Sequence, residues 1–142
     1  MTDPKSECEE LLGQAVPMAG AMLTRHRAFL PFALSMSAQG DVAHVGVPVD
    51  EEHPGAQAVM DRLEEALKSG VAEGTLRAAA LAHDITTTPP GRDEAQDAIA
   101  VALDHRDGYS VLVVFPYAFD ADGVLLIEDP FATEGEGRLF DA

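Results

Sequence analysis

Hydrophobic positions along the chain fall into two helical stripes and several extended runs. Leu11, Leu12, Ala15, Met18, Ala19 and Met22 recur at helical spacing, which predicts a first helix over residues 3–25. Asp3-Pro4 supplies a cap residue followed by a proline in the first turn, and Ser6 with Glu9 offers a rival capping box. Pro17 removes one backbone bond and predicts a kink or a split. The small residues Gly13, Ala15, Ala19, Gly20 and Ala21 would let another backbone approach closely. A second stripe, Val59, Met60, Leu63, Ala66 and Leu67, predicts a helix over residues 55–69 with Gly70 as its stop. Between the helices, Phe29 to Ser37 and Val42 to Val49 read as strands joined by Ala38-Gln39-Gly40-Asp41. Pro31 and Pro48 place parts of them at an edge or at strand ends.

A third strand is expected from Thr75 to Thr87. Its Ala-rich middle suits a helix as well, but the β-branched Ile85-Thr86-Thr87-Thr88 and the stop at Pro89-Pro90-Gly91 favour a strand. Asp97 to Phe119 reads as a hairpin around Asp107-Gly108, with a two-residue turn that pairs Leu103 with Leu112 and Asp104 with Val111. That register puts Ile99, Val101, Leu103, Leu112 and Val114 on one face. The opposite face then carries Ala98, Ala100, Ala102, Val111, Val113, Phe115 and Tyr117. Both faces are apolar and need cover from a helix or a partner chain. Val124 to Ile127 is a sixth strand set off by Asp120-Ala121-Asp122-Gly123, and residues 129–142 form an acidic, mostly irregular tail in which Phe131, Leu139 and Phe140 could dock. The expected fold is a single α+β domain over residues 1–128. It has two main helices and an antiparallel five- or six-stranded sheet in the order α-β-β-α-β-β-β.

The hairpin, crossing helix and three-strand meander resemble the profilin-like and PAS-like plan, a topological likeness that implies a fold and no function. Phe29-Leu30-Pro31-Phe32-Ala33, Ala78-Ala79-Ala80, and Asp97-Ala98-Ile99-Ala100-Val101 through Gly108-Tyr109-Ser110-Val111 also resemble a group of small uncharacterised bacterial proteins. That resemblance covers most of the chain. It implies one intact domain and no particular activity.

Composition sharpens this picture. The chain has 142 residues and is 46% hydrophobic, enough for a core without metal or disulfide. It is only 6% aromatic and lacks Trp, so that core must be built from aliphatic residues and many alanines. Its formal net charge of -16, from 25 acidic and 9 basic residues, repels phosphate backbones and anionic membranes. Nucleic acid and membrane are therefore not expected partners. Basic proteins or cations are, although solubility alone explains the charge. Cys8 cannot form an internal disulfide, and Glu7, Glu9 and Glu10 beside it should raise its pKa. Neither a signal sequence nor an apolar run long enough for a membrane span is visible, which points to a cytoplasmic protein.

Candidate chemistry is sparse. His83 and Asp84 finish the third strand, while Asp104 and His105 finish the fourth. Antiparallel pairing separates the two pairs by roughly 17–20 Å, which argues against one shared metal site. His44 and His53 flank the acidic loop Asp50-Glu51-Glu52, whose spacing matches no calcium loop. Ser35, Ser37, Ser69 and Ser110 sit in no nucleophile elbow, and no phosphate-binding glycine loop occurs. Thr86 to Arg92 is a polar turn, and Tyr109 and Tyr117 suit a wet-edged sheet surface. No catalytic residue, metal or cofactor is expected.

The remaining feature is an apolar platform formed if Ala78, Ala80 and Ala82 lie beside Ala98, Ala100 and Ala102. The first helix could cover it; otherwise it is a surface for self-association. The leading expectation is a non-catalytic, acidic protein-interaction module acting as a homodimer. One rival is a small-ligand binder or enzyme with a helix–sheet pocket using His83, Asp84, Asp104 or His105. Another is an acidic, immunity-like inhibitor of a basic protein.

Overall fold

The computed structural model describes residues 3–45, 55–135 and 140. Asp3 opens the first helix, α1 (Pro4–His26), by accepting the Ser6 amide at 2.7 Å, so the Asp-Pro cap prevails over the capping box. The helix runs unbroken through Pro17. The carbonyl freed by that proline belongs to Gly13, and both residues lie on the exposed side, where water can satisfy it. Arg27 caps the far end in a left-handed conformation, its N–H donating to the Leu23 carbonyl.

Strands β1 (Phe32–Ser37) and β2 (Val42–Val45) form the expected hairpin, with β1 starting three residues later than expected; residues 46–49 lie outside the described residues. The second helix, α2 (Ala56–Ala72), passes through Gly70 instead of stopping there. Its stop is Gly74 at φ 75°, which lets the Thr75 amide reach the Gly70 carbonyl and the Gly74 amide the Val71 carbonyl. Gly70 instead makes room for the next strand, because a Cβ there would lie 2.7 Å from Leu76 Cδ1.

Strands β3 (Leu76–Thr87), β4 (Gln96–His105) and β5 (Ser110–Phe119) form the antiparallel centre of the sheet. Two further strands, β6 (Leu125–Ile127) and β7 (Phe131–Glu134), both pair with β5. The sheet order is β2-β1-β3-β4-β5-β6, with β7 beside the first half of β5. The expected α+β architecture and element order are present, with seven strands among the described residues. Residues 131–134 correct the expectation of an irregular tail. Registers show that β6 and β7 are one edge strand divided by a bulge: Pro116 faces Glu128 and Val114 faces Phe131, leaving Asp129 and Pro130 opposite Phe115 alone. Proline suits that position, where no ladder donor is needed.

The β4–β5 turn differs from expectation by one residue, with large consequences. The Gly108 amide donates to the His105 carbonyl, the His105 amide donates to the Tyr109 carbonyl, and Gly108 has φ 92°. Asp107 does not have positive φ, so this is a three-residue loop with glycine in the bulge position. Leu103 therefore pairs with Val111 and Asp104 with Ser110. Ile99, Val101, Leu103, Val113 and Tyr117 share one face and one cluster, while Ala98, Ala100 and Ala102 share the other with Leu112 and Val114.

The two faces have different covers. Cys8, Leu11, Ala15, Ala19 and Leu23 form the fully buried stripe of α1 and pack on Ala78, Ala80, Ala82, Ile99, Val101 and Leu103. Short side chains on helix and strand allow that close approach. On the opposite face, Val59, Leu63 and Leu67 of α2 pack on Ala33, Ala79 and Leu81, toward the β1–β3 side. Gly13 is exposed, with nothing within 4 Å of an added Cβ. Gly13→Ala should therefore stabilise the fold by about 1 kcal/mol through helix propensity, whereas Gly108→Ala should cost about 1 kcal/mol or more. Urea unfolding of the two variants checks both signs.

Candidate functional site

The register fixes where each candidate side chain lies. Ala78, Ala80 and Ala82 pair with His105, Leu103 and Val101, and they face α1. Ala98, Ala100 and Ala102 pair with Ile85, His83 and Leu81 and project to the other side. The six alanines do not make one platform. Each triplet occupies the Ala-rich face of its own strand, but those faces are opposite sides of the sheet. The same correction applies to the polar residues: Asp84 shares the α1 face with His105, and His83 shares the α2 face with Asp104. Six positions along β4 separate Asp84's partner Ile99 from His105, roughly 20 Å, so the separation expected along the sheet holds.

His105 belongs to a buried polar knot at the junction of α1 and the sheet. Its Nδ1 accepts the Asp107 amide at 3.1 Å, which leaves Nε2 to carry the proton and donate to Glu7 Oε1 at 2.9 Å. Glu7 Oε2 receives Arg77 Nη1 at 2.6 Å, and Arg77 Nη2 donates to the Ala38 carbonyl. Glu7 is 7% exposed and His105 2%. Sequence reasoning missed Glu7 and Arg77. A signal existed, because Glu7, Leu11, Ala15, Ala19 and Leu23 recur every four residues and place a carboxylate on the apolar stripe. The knot ties elements 70 and 98 residues apart and buries both Glu7 and His105, so its geometry is that of a structural clamp. Cys8 lies beside it. Burial first, then the Asp104 and Glu7 carboxylates, push its thiol up to about 12, so the shift has the expected direction, but of the three expected glutamates only Glu7 is among its causes.

At the far end of the same face, the Tyr117 hydroxyl donates to Asp84 at 2.8 Å. Burial raises both groups, and their contact opposes that shift for Asp84 while adding to it for Tyr117. The other polar positions are scattered. His44 is exposed and stacks on Phe32, whereas Asp50, Glu51, Glu52 and His53 lie outside the described residues. Arg92 pairs with Glu128 at 2.5 Å, and Gln96 also donates to that carboxylate.

A cleft of about 470 Å³ opens on the α2 face. Met60 and Glu64 of α2 form one wall, and Thr133, Glu134 and Gly135 form the other. The floor includes Leu81, His83, Ala102, Asp104 and Leu112. Two features of the chain build it. Helix α2 lies toward the β1–β3 side, and the end of β7 is pressed onto the start of β5. A Cβ on Gly135 would lie 2.2 Å from Ser110 Oγ, so only glycine closes that wall. Within the cleft, Ser110 donates to Asp104 at 2.6 Å. Burial lowers the His83 pKa, and Glu64 opposes this less strongly, so the imidazole is neutral near pH 7. Its Nδ1 is buried and has no hydrogen-bond partner among the described residues.

Among the described residues, no three or more His, Cys, Asp and Glu side chains stand close enough to hold a metal ion. No helix among them is long and apolar enough to cross a membrane. No protein-family model matches the chain, and no match was found among the curated proteins or the solved structures.

Two outcomes test these assignments. Glu7→Ala leaves the buried His105 and the half-buried Arg77 facing a missing carboxylate and should cost about 3 kcal/mol in urea unfolding. Asp84 binds its proton more tightly folded than unfolded. Its favourable contribution is therefore complete below the ordinary carboxyl range and is lost as pH rises through the raised native value. Asp84→Asn, which retains an acceptor for Tyr117, should thus be more stable than the parent at pH 7, with the gain vanishing near pH 3.

Proposed function

We propose that this chain is a ligand-binding domain that holds a small molecule non-covalently in the cleft between α2 and the β4–β5–β7 side of the sheet. The observation that carries the reading is the His83 imidazole, neutral and with a buried, unpartnered Nδ1, in a cleft of drug-sized volume. Burying a polar nitrogen without a partner costs about 1–3 kcal/mol, and a ligand that supplies the missing hydrogen bond would recover it. Met60, Leu81, Ala102 and Leu112 give the cleft an apolar lining, the usual setting for a few orienting polar groups. The expected ligand has an apolar body and one hydrogen-bonding group directed at His83.

This reading is favoured over self-association through alanine because the two alanine triplets project to opposite sides of the sheet and one is packed under α1. Catalysis is not included in the proposal, because the His83 imidazole of the cleft stands too far from Ser110 to act as its base. His83, four strand positions from Asp104's level on β4, is roughly 13 Å along the strand from it.

A fragment screen read by amide chemical shifts tests the proposal. Hits should perturb Met60, Leu81 and Ala102 together. His83→Ala should weaken them about tenfold, and Ala102→Trp, which fills the floor, should abolish binding in a folded protein. Hits that bind both variants as well as the parent, or a screen with no hit in the cleft, would sink it.

A further inference from the structure

We infer that the β6 edge is a docking site for an extended segment of a basic partner, which adds to the sheet as a further antiparallel or parallel strand. This inference is independent of the cleft and concerns a different part of the molecule. Among the described residues nothing pairs with the outer side of β6. The register identifies its free groups. Val124 and Glu128 bond inward, through Asp120 N–H to the Val124 carbonyl and Glu128 N–H to the Pro116 carbonyl. Antiparallel alternation then turns the N–H and C=O groups of Leu125 and Ile127 outward.

The side chains around those groups are unusually apolar for an exposed edge. Val124 is 55% exposed, Leu126 51% and Ile127 40%. Natural edges are commonly blunted by charge, proline or a bulge. This one is blunted farther on, by the bulge at Asp129-Pro130, while the stretch from Val124 to Ile127 is left without a charged residue. Leu126 also borders a shallow basin with Ala118, Gln96 and the Arg92–Glu128 pair. A side chain from an added strand would rest there.

Charge selects the partner. Asp93, Glu94, Asp120, Asp122, Glu128 and Asp129 surround the edge and basin, against Arg27 and Arg92. Arg27 lies over the Phe119 ring at 4.4 Å, and Arg92 is paired with Glu128. That pairing holds the Glu128 carboxyl down at about 2, so it is ionised at neutral pH. A second copy would set two such acidic fields against each other, within a chain of net charge -16. An extended segment with alternating apolar residues and flanking lysines or arginines satisfies the backbone groups, the apolar side chains and the charge together.

The test is a titration of the isotope-labelled protein with a short capped peptide of alternating valine and threonine flanked by lysines. The Leu125 and Ile127 amides should gain protection from hydrogen exchange. A glutamate-flanked peptide should bind at least about tenfold more weakly, and so should the lysine peptide on Leu126→Lys, which removes the apolar contact and adds a repelling charge at an exposed position that spares the fold. Equal binding of the two peptides, protection at another edge, or dimerisation of the protein through these same amides would overturn the inference.

Discussion

One glycine conformation decides the arrangement of the whole sheet. With Gly108 left-handed after Arg106 and Asp107, the β4–β5 hairpin closes in a three-residue loop, and every pair from Ala98 to Asp104 follows from it. A slip of one residue would exchange the faces of β5 relative to β4. Val111, Val113 and Tyr117 would then leave the α1 side, and Leu112 and Val114 would enter it. The observed register gathers the larger side chains of both strands under α1 and leaves alanines on the opposite side.

From that asymmetry the two surfaces of the sheet acquire different characters. The α1 side is closely packed: its small helix residues approach the alanines of β3, and its polar groups bond one another, Glu7 with His105 and Arg77, Asp84 with Tyr117, with Arg77 Nε alone left without a partner among the described residues of that side. The α2 side is incompletely filled because short side chains on β4 meet a helix displaced toward β1. A cleft there needs no special device beyond a wall on the other side, which β7 provides. The closely packed side and the side with the cleft are thus separated by the thickness of one sheet.

Much of the fold was legible in the sequence because its signals are local. The Asp3-Pro4 cap, the apolar stripes and the Pro89-Pro90-Gly91 stop each act within a few residues, and the elements they mark are present. Register was not legible, since Asp-Gly serves equally as the centre of a two-residue turn and as the end of a three-residue loop. Gly70 misled for a related reason: it lies near a helix end but is required by Leu76, whereas Gly74 does the capping. Strand β7 was hidden by its weak alternation, with Phe131 as the lone large apolar residue among Ala132, Thr133 and Glu134. The cleft was anticipated only as an alternative, a helix–sheet pocket using His83, Asp84, Asp104 or His105, of which His83 and Asp104 line it. His83 and Asp104 were visible as polar strand residues, but their shared face depends on register and the walls come from segments distant in sequence.

The clamp between Glu7 and the sheet has a bearing on synthesis. Glu7 meets His105 across 98 residues, and the surfaces that bury the α1 stripe include β3 and β4. A chain emerging from the ribosome therefore presents its first helix long before most of the surface that covers it exists. Leu11 and Leu23 must wait, exposed or transiently covered, until the β4 strand has followed. Helix α1 is made before the strands it docks on, and the interval is set by topology rather than by any property of the helix itself.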